Sequence, residues 1–73
     1  MTISQKIKEL RQSHGLTQMK LARAIGSTQA SVQEWESGER RPVIDAVVAL
    51  AKFFGVSTDY LLGLEDESGA KIQ

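Results

Sequence analysis

Between residues 18 and 41 the chain gathers side chains that hydrogen-bond well and react poorly: Gln18, Gln29, Gln33 and Glu34, with Thr28 and Ser31 among them. A glutamine amide can pair bidentately with adenine, and a glutamate can accept from the amino group of cytosine. A helix N-terminus beside a phosphate adds N–H donors and a favourable dipole. Bond-making chemistry has no such basis. With no cysteine there is no thiol nucleophile, disulfide scaffold or zinc finger, and His14 is the single imidazole. No Ser-His-Asp set or phosphate loop is present. The nearest carboxylates, Glu34, Glu36 and Glu39, lack ligands from a second helix. The chain is therefore expected to be no enzyme, and to use no metal, cofactor or small-molecule ligand.

The elements that would position these groups must come from 73 residues, enough for one domain and one core but not for a deep pocket beside it. A composition of 41% hydrophobic and 25% charged residues is that of a soluble globular chain. The formal net charge of zero hides an asymmetry. Residues 1–41 carry seven basic side chains against four acidic, and residues 42–73 carry two against five. The basic part could face a polyanion while the acidic part stays in water. The longest apolar run, residues 46–51, is far short of a membrane span, and the N-terminus has no signal-peptide pattern, so the cytoplasm is the expected location.

Glycines punctuate the chain at 15, 26, 38, 55 and 63, and between them apolar residues recur at helical rather than alternating spacing. The first segment follows Thr2, whose spacing to Gln5 has the capping-box form, and its stripe is Ile3, Ile7 and Leu10. A second starts after Thr17 and carries Leu21, Ala22 and Ile25. A third follows Thr28, turns Val32 and Trp35 inward and stops at Gly38. A fourth follows Pro42 with the stripe Ile44, Val47, Leu50, Ala51 and Phe54. A fifth, short one is capped by Ser57 and holds Tyr60, Leu61 and Leu62. Trp35 belongs to the core, and His14 to a solvated helix end. The spacing predicts an all-α, compact five-helix bundle over residues 1–64, with an acidic, flexible tail over 65–73.

Segments two and three, joined by Gly26, Ser27 and Thr28, fit a helix-turn-helix, whose second helix can enter the major groove. Ala22 is small where the helices cross, and Gly26 can take a positive φ in the turn. Here the chain resembles the phage-repressor (Cro/CI-like, XRE) family, whose fold is the lambda-repressor-like DNA-binding domain. The run LTQMKLARAIGSTQASVQEWESGERRP, from Leu16 to Pro42, carries the resemblance, and so does the later AKFFGVSTDYLLG. The chain departs from the family at Lys20, where an acidic residue is usual, and at Ser27, where an apolar one is usual. Lys20 could shift phosphate contacts, and Ser27 loosens the packing of the turn.

The resemblance implies roles for the matching positions. Gln29, Ala30, Gln33 and Glu34, on a recognition helix at about residues 28–37, would face base edges. Gln18, Thr28, Ser31, Arg40 and Arg41 would contact the DNA backbone. Arg11 and Glu36 would form a structural ion pair between the first and third helices. Tyr60, Leu62 and Leu64 would form the contact of a homodimer that is weak away from DNA, with Val56 and Leu61 used by the core. The implied function is a sequence-specific transcriptional regulator of double-stranded DNA, a repressor binding a palindromic operator, without membrane association. The rival class is a protein-interaction module such as an antitoxin component, which retention on duplex DNA at low salt would separate from the first.

Overall fold

The computed structural model describes residues 1–64, and the expected tail at 65–73 lies outside them. Among the described residues the regular structure is helical: α1 (Ile3–Ser13), α2 (Gln18–Ile25), α3 (Gln29–Ser37), α4 (Ile44–Phe54) and α5 (Thr58–Leu62). No helix there is long and apolar enough to cross a membrane.

Four of the five helices start at a hydroxyl that takes an orphan backbone donor. Thr2 Oγ1 accepts from Gln5 N at 3.2 Å while Gln5 Oε1 accepts from Thr2 N at 2.8 Å, a reciprocal capping box. Thr17, Thr28 and Ser57 accept from the backbone N–H three residues on. α4 differs: Val43 stands at its N-cap without a side-chain bond, in extended backbone after Pro42, and Asp45 in the first turn complements the dipole.

The turn between α2 and α3 depends on Gly26, whose φ is +71°. Its N–H bonds back to Arg23 and Ala22, and Ser27 N donates to Ala22 O at 2.8 Å, so the last carbonyls of α2 are satisfied as the chain turns. A Cβ at Gly26 would meet nothing within 4 Å, so the requirement lies in the backbone conformation and not in space.

The core collects Ile3 and Ile7 from α1, Leu21 and Ala22 from α2, Val32 and Trp35 from α3, four residues of α4, and Leu61. Ile7, Leu21, Val32, Leu50 and Leu61 are fully buried, each contributing about 1.5–3 kcal/mol relative to exposure. α3 packs on both α1 and α2, while α5 bridges α4 back to α1. The resulting frame fixes α3 on two sides and leaves its third side to solvent.

Two residues depart from the apolar stripes. Ile44 is 79% exposed, because the first residue of α4 sits ahead of the turn that meets the core. Lys6 is buried: its Nζ donates to the Tyr60 carbonyl at 2.5 Å, near the C-terminal end of α5, and lies 4.4 Å from the Tyr60 ring centroid. A cation there satisfies a terminal carbonyl and faces an aromatic ring, both of which compensate its burial.

Candidate nucleic-acid interface

The outward side of α3 is polar because its apolar residues are three apart. Val32 and Trp35 point into the core, which leaves Gln29, Ala30 and Gln33 exposed on the opposite surface. Thr28, at the N-cap, is exposed as well, and Ser31 and Glu34 lie half-buried on one flank.

A chain of hydrogen bonds braces this surface from behind. Glu36, at the end of α3, is 4% exposed in its side chain, and Arg11 of α1 is 13% exposed. Arg11 Nε donates to Glu36 Oε2 at 2.6 Å and Nη2 to Oε1 at 2.9 Å, in a bidentate fork. Arg11 Nη1 also donates to Leu16 O at 2.8 Å, so the guanidinium ties α1 to the α1–α2 loop and to α3 together. The hydrogen bond to Glu36 holds the Arg11 pKa above its usual value, against a smaller opposing effect of burial. Gln18 Nε2 donates to Glu36 Oε1 at 3.2 Å, and Gln18 Oε1 accepts from Gln29 Nε2 at 3.2 Å. Gln29 Nε2 keeps its second hydrogen, and Oε1 stays available, so the amide retains a donor and an acceptor for an adenine edge.

Cations stand on both sides of α3. Toward the following loop, Arg40 Nη2 lies 3.1 Å from Ser31 Oγ and 3.3 Å from Glu34 Oε1, while Arg41 is exposed and makes no ion pair among the described residues. On the other side Lys8, exposed on α1, borders the same shallow depression as Gln18, Gln33 and Ser37. Lys8 was not singled out from the sequence. Its spacing of three from Arg11 was the available signal, but only the packing of α1 on α3 brings it to this face.

A second surface lies away from α3. Leu62 and Leu64 are each 49% exposed, and Leu62 joins Ile44 and Val48 around a mostly apolar groove floored by Ile3 and Val47 and bordered by Arg41 and Pro42. Tyr60 is half-buried and engaged by Lys6. The exposed apolar surface therefore extends from Leu62 toward α4, with Tyr60 turned to α1. Among the described residues no cluster of three or more His, Asp or Glu could hold a metal ion.

A family model described as helix-turn-helix matches residues 7–61. The chain is 38% identical over 69 residues to the uncharacterized HTH-type transcriptional regulator YobD of Bacillus subtilis, a match covering 94% of this chain and 62% of that protein. It is 38% identical over 53 residues to the cryptic phage CTXphi transcriptional repressor RstR of Vibrio cholerae, covering 73% of this chain and 48% of that one. The chain thus spans about half to three-fifths of the length of these curated relatives. Among solved structures, the P22 c2 repressor in complex with synthetic operator 9T superposes with a TM-score of 0.81 at 27% identity, over 85% of this chain and 94% of the repressor.

Proposed function

The chain belongs to the helix-turn-helix family, and from that premise we propose that residues 1–64 form a sequence-specific double-stranded DNA-binding unit of a transcriptional regulator. α3 enters the major groove, with Gln29, Ala30 and Gln33 at the base edges. Gln18, Thr28 and Ser31 approach the DNA backbone, Arg41 and Lys8 supply phosphate-neutralising charge on the two sides of the groove, and Arg40 closes the loop flank. The observation that carries this reading is the hydrogen bond that Gln29 Nε2 donates to Gln18 Oε1. It ties the N-terminus of α2 to the first residue of the exposed face of α3, so a phosphate contact and a base contact are set by one rigid unit.

The operator complex of the P22 c2 repressor and the repressor RstR support repression as the outcome, by occlusion of a promoter in the cytoplasm. One α3 per copy reads one half-site, so a palindrome is filled by a homodimer with recognition helices about 34 Å apart, one turn of the duplex. The apolar surface around Leu62 and Leu64, extended by Ile44 and Val48, is the dimer face. Its small area makes the dimer weak away from DNA. Electrophoretic retention of duplexes from a random pool tests the function. Selective enrichment of a short two-fold site supports it, and absence of retention at low salt contradicts it.

A further inference from the structure

The family resemblance implies a base contact for Glu34 and a separate backbone contact for Arg40, yet the structure joins the two side chains. Arg40 closes the flank of α3 in two ways. Its main-chain N–H donates to Glu34 O at 3.2 Å, which folds the loop back on the helix. Its Nη2 then reaches Ser31 Oγ at 3.1 Å and Glu34 Oε1 at 3.3 Å. Ser31 Oγ in turn accepts from Thr28 Oγ1 at 3.0 Å. Residues 31 and 34 neighbour each other on one side of the helix, whereas 29 and 33 neighbour each other on the outward face. The Glu34 carboxylate is therefore drawn toward Ser31 and away from the Gln29–Gln33 face.

We propose that Arg40 is a specificity-determining residue that acts through Glu34. By holding the carboxylate on the flank of α3 and cancelling its charge, it keeps Glu34 off the base edges and leaves readout to Gln29 and Gln33. This rests on the DNA-binding reading and adds to it the rule by which the site excludes a competing reader. A carboxylate released into the groove is repelled by phosphates unless it meets the amino group of a cytosine, so an unheld Glu34 rewards cytosine and penalises other bases. In the free protein the pair, with side chains 59% and 30% exposed, adds little to stability. Its effect is on which sequences bind. Arg40, with its charge engaged inside the protein, then neutralises no phosphate, and that task on the loop side falls to Arg41.

The test is duplex selection followed by salt-dependent titration for the unmodified chain, Arg40→Ala, Glu34→Ala and the double variant. Thermal melts verify that each is folded. Arg40→Ala should raise preference for cytosine at one base pair per half-site by about three- to fivefold, with an unchanged salt slope. Glu34→Ala should keep the original base preferences within about twofold. The double variant should return to the original preferences, since the unheld carboxylate is gone. The proposal is overturned if Arg40→Ala weakens all duplexes alike and lowers the salt slope by about one, the signature of a phosphate contact. It is overturned independently, without any change at Arg40, if Glu34→Ala alone relaxes preference at a base pair. An unmodified chain that enriches no duplex removes the DNA-binding reading itself and this proposal with it, so the two failures are distinguishable.

Discussion

Glu36 serves two donors at once, taking the Arg11 fork on both carboxylate oxygens and the Gln18 amide on one. Truncating it strands a guanidinium that is 13% exposed, so Glu36→Ala should cost about 3–5 kcal/mol. Glu39→Ala, at an exposed position, should cost under about 0.5 kcal/mol, and chemical denaturation of the two variants checks the difference. The raised Arg11 pKa bears on pH. A cation stabilised in the folded state contributes fully below its unfolded pKa and loses that contribution only as pH rises through the folded one. Titration of Arg11 thus leaves stability flat from neutral to moderately alkaline pH. For Gln29 the expectation differs, because its amide lies on the surface: Gln29→Ala should weaken specific binding by about 1–3 kcal/mol and relax one base pair per half-site. Arg41→Ala should weaken all duplexes alike and lower the salt slope by about one. The residue types at this face were readable from the sequence, since glutamine beside glutamine in a helix-turn-helix carries its own chemistry. The joining of Arg40 to Glu34 was not, because nothing in the spacing fixes how a loop returns to a helix.

At the scale of elements, helix starts were the most legible features. A hydroxyl ahead of an apolar stripe encodes a cap locally, and Thr2, Thr17, Thr28 and Ser57 all act as caps. Removing one of them, Thr28→Ala, should cost about 1 kcal/mol and fray the start of α3, read as faster amide exchange at residues 29–31. Where the outcome depended on how helices meet, the pattern was less informative. Ile44 continues the stripe of α4 by periodicity, but the helix begins before the core does, and the side chain is left in solvent. Lys6 presents the opposite case: a charge beside the Ile3, Ile7 and Leu10 stripe of α1 that tertiary packing buries against α5. Lys6→Met keeps most of the stem volume and loses the bond to the Tyr60 carbonyl. It should cost about 1.5–3 kcal/mol and loosen α5 before the rest of the domain, visible as exchange at residues 60–62 ahead of global unfolding.

For the whole molecule, the basic excess of residues 1–41 lies in the part of the chain that forms α1, α2, α3 and the Arg40–Arg41 loop, but Lys6 turns to α5 and Arg11 and Arg40 are paired with Glu36 and Glu34, which leaves Lys8 and Arg41 as the exposed cations beside α3. The five-helix architecture was legible because five glycines and four caps divide so short a chain with little ambiguity. The extent of the exposed apolar surface was not, since Ile44 and Val48 come to Leu62 only through the packing of α4 on α5. Replacing Leu62, which is 49% exposed, with aspartate should change monomer stability by no more than about 0.5 kcal/mol. The same variant should lose cooperative filling of two half-sites, and a titration of one-half-site against two-half-site duplexes checks it. The central claim is that α3 reads base sequence in duplex DNA, and selection of the unmodified chain on random duplexes across salt concentrations tests it most directly. Selection should yield one enriched sequence with two-fold symmetry and half-sites one helical turn apart, bound at least about a thousandfold more tightly than random duplex at moderate salt. Retention that is equal for all duplexes and vanishes with added salt, or no retention at any salt, would contradict it.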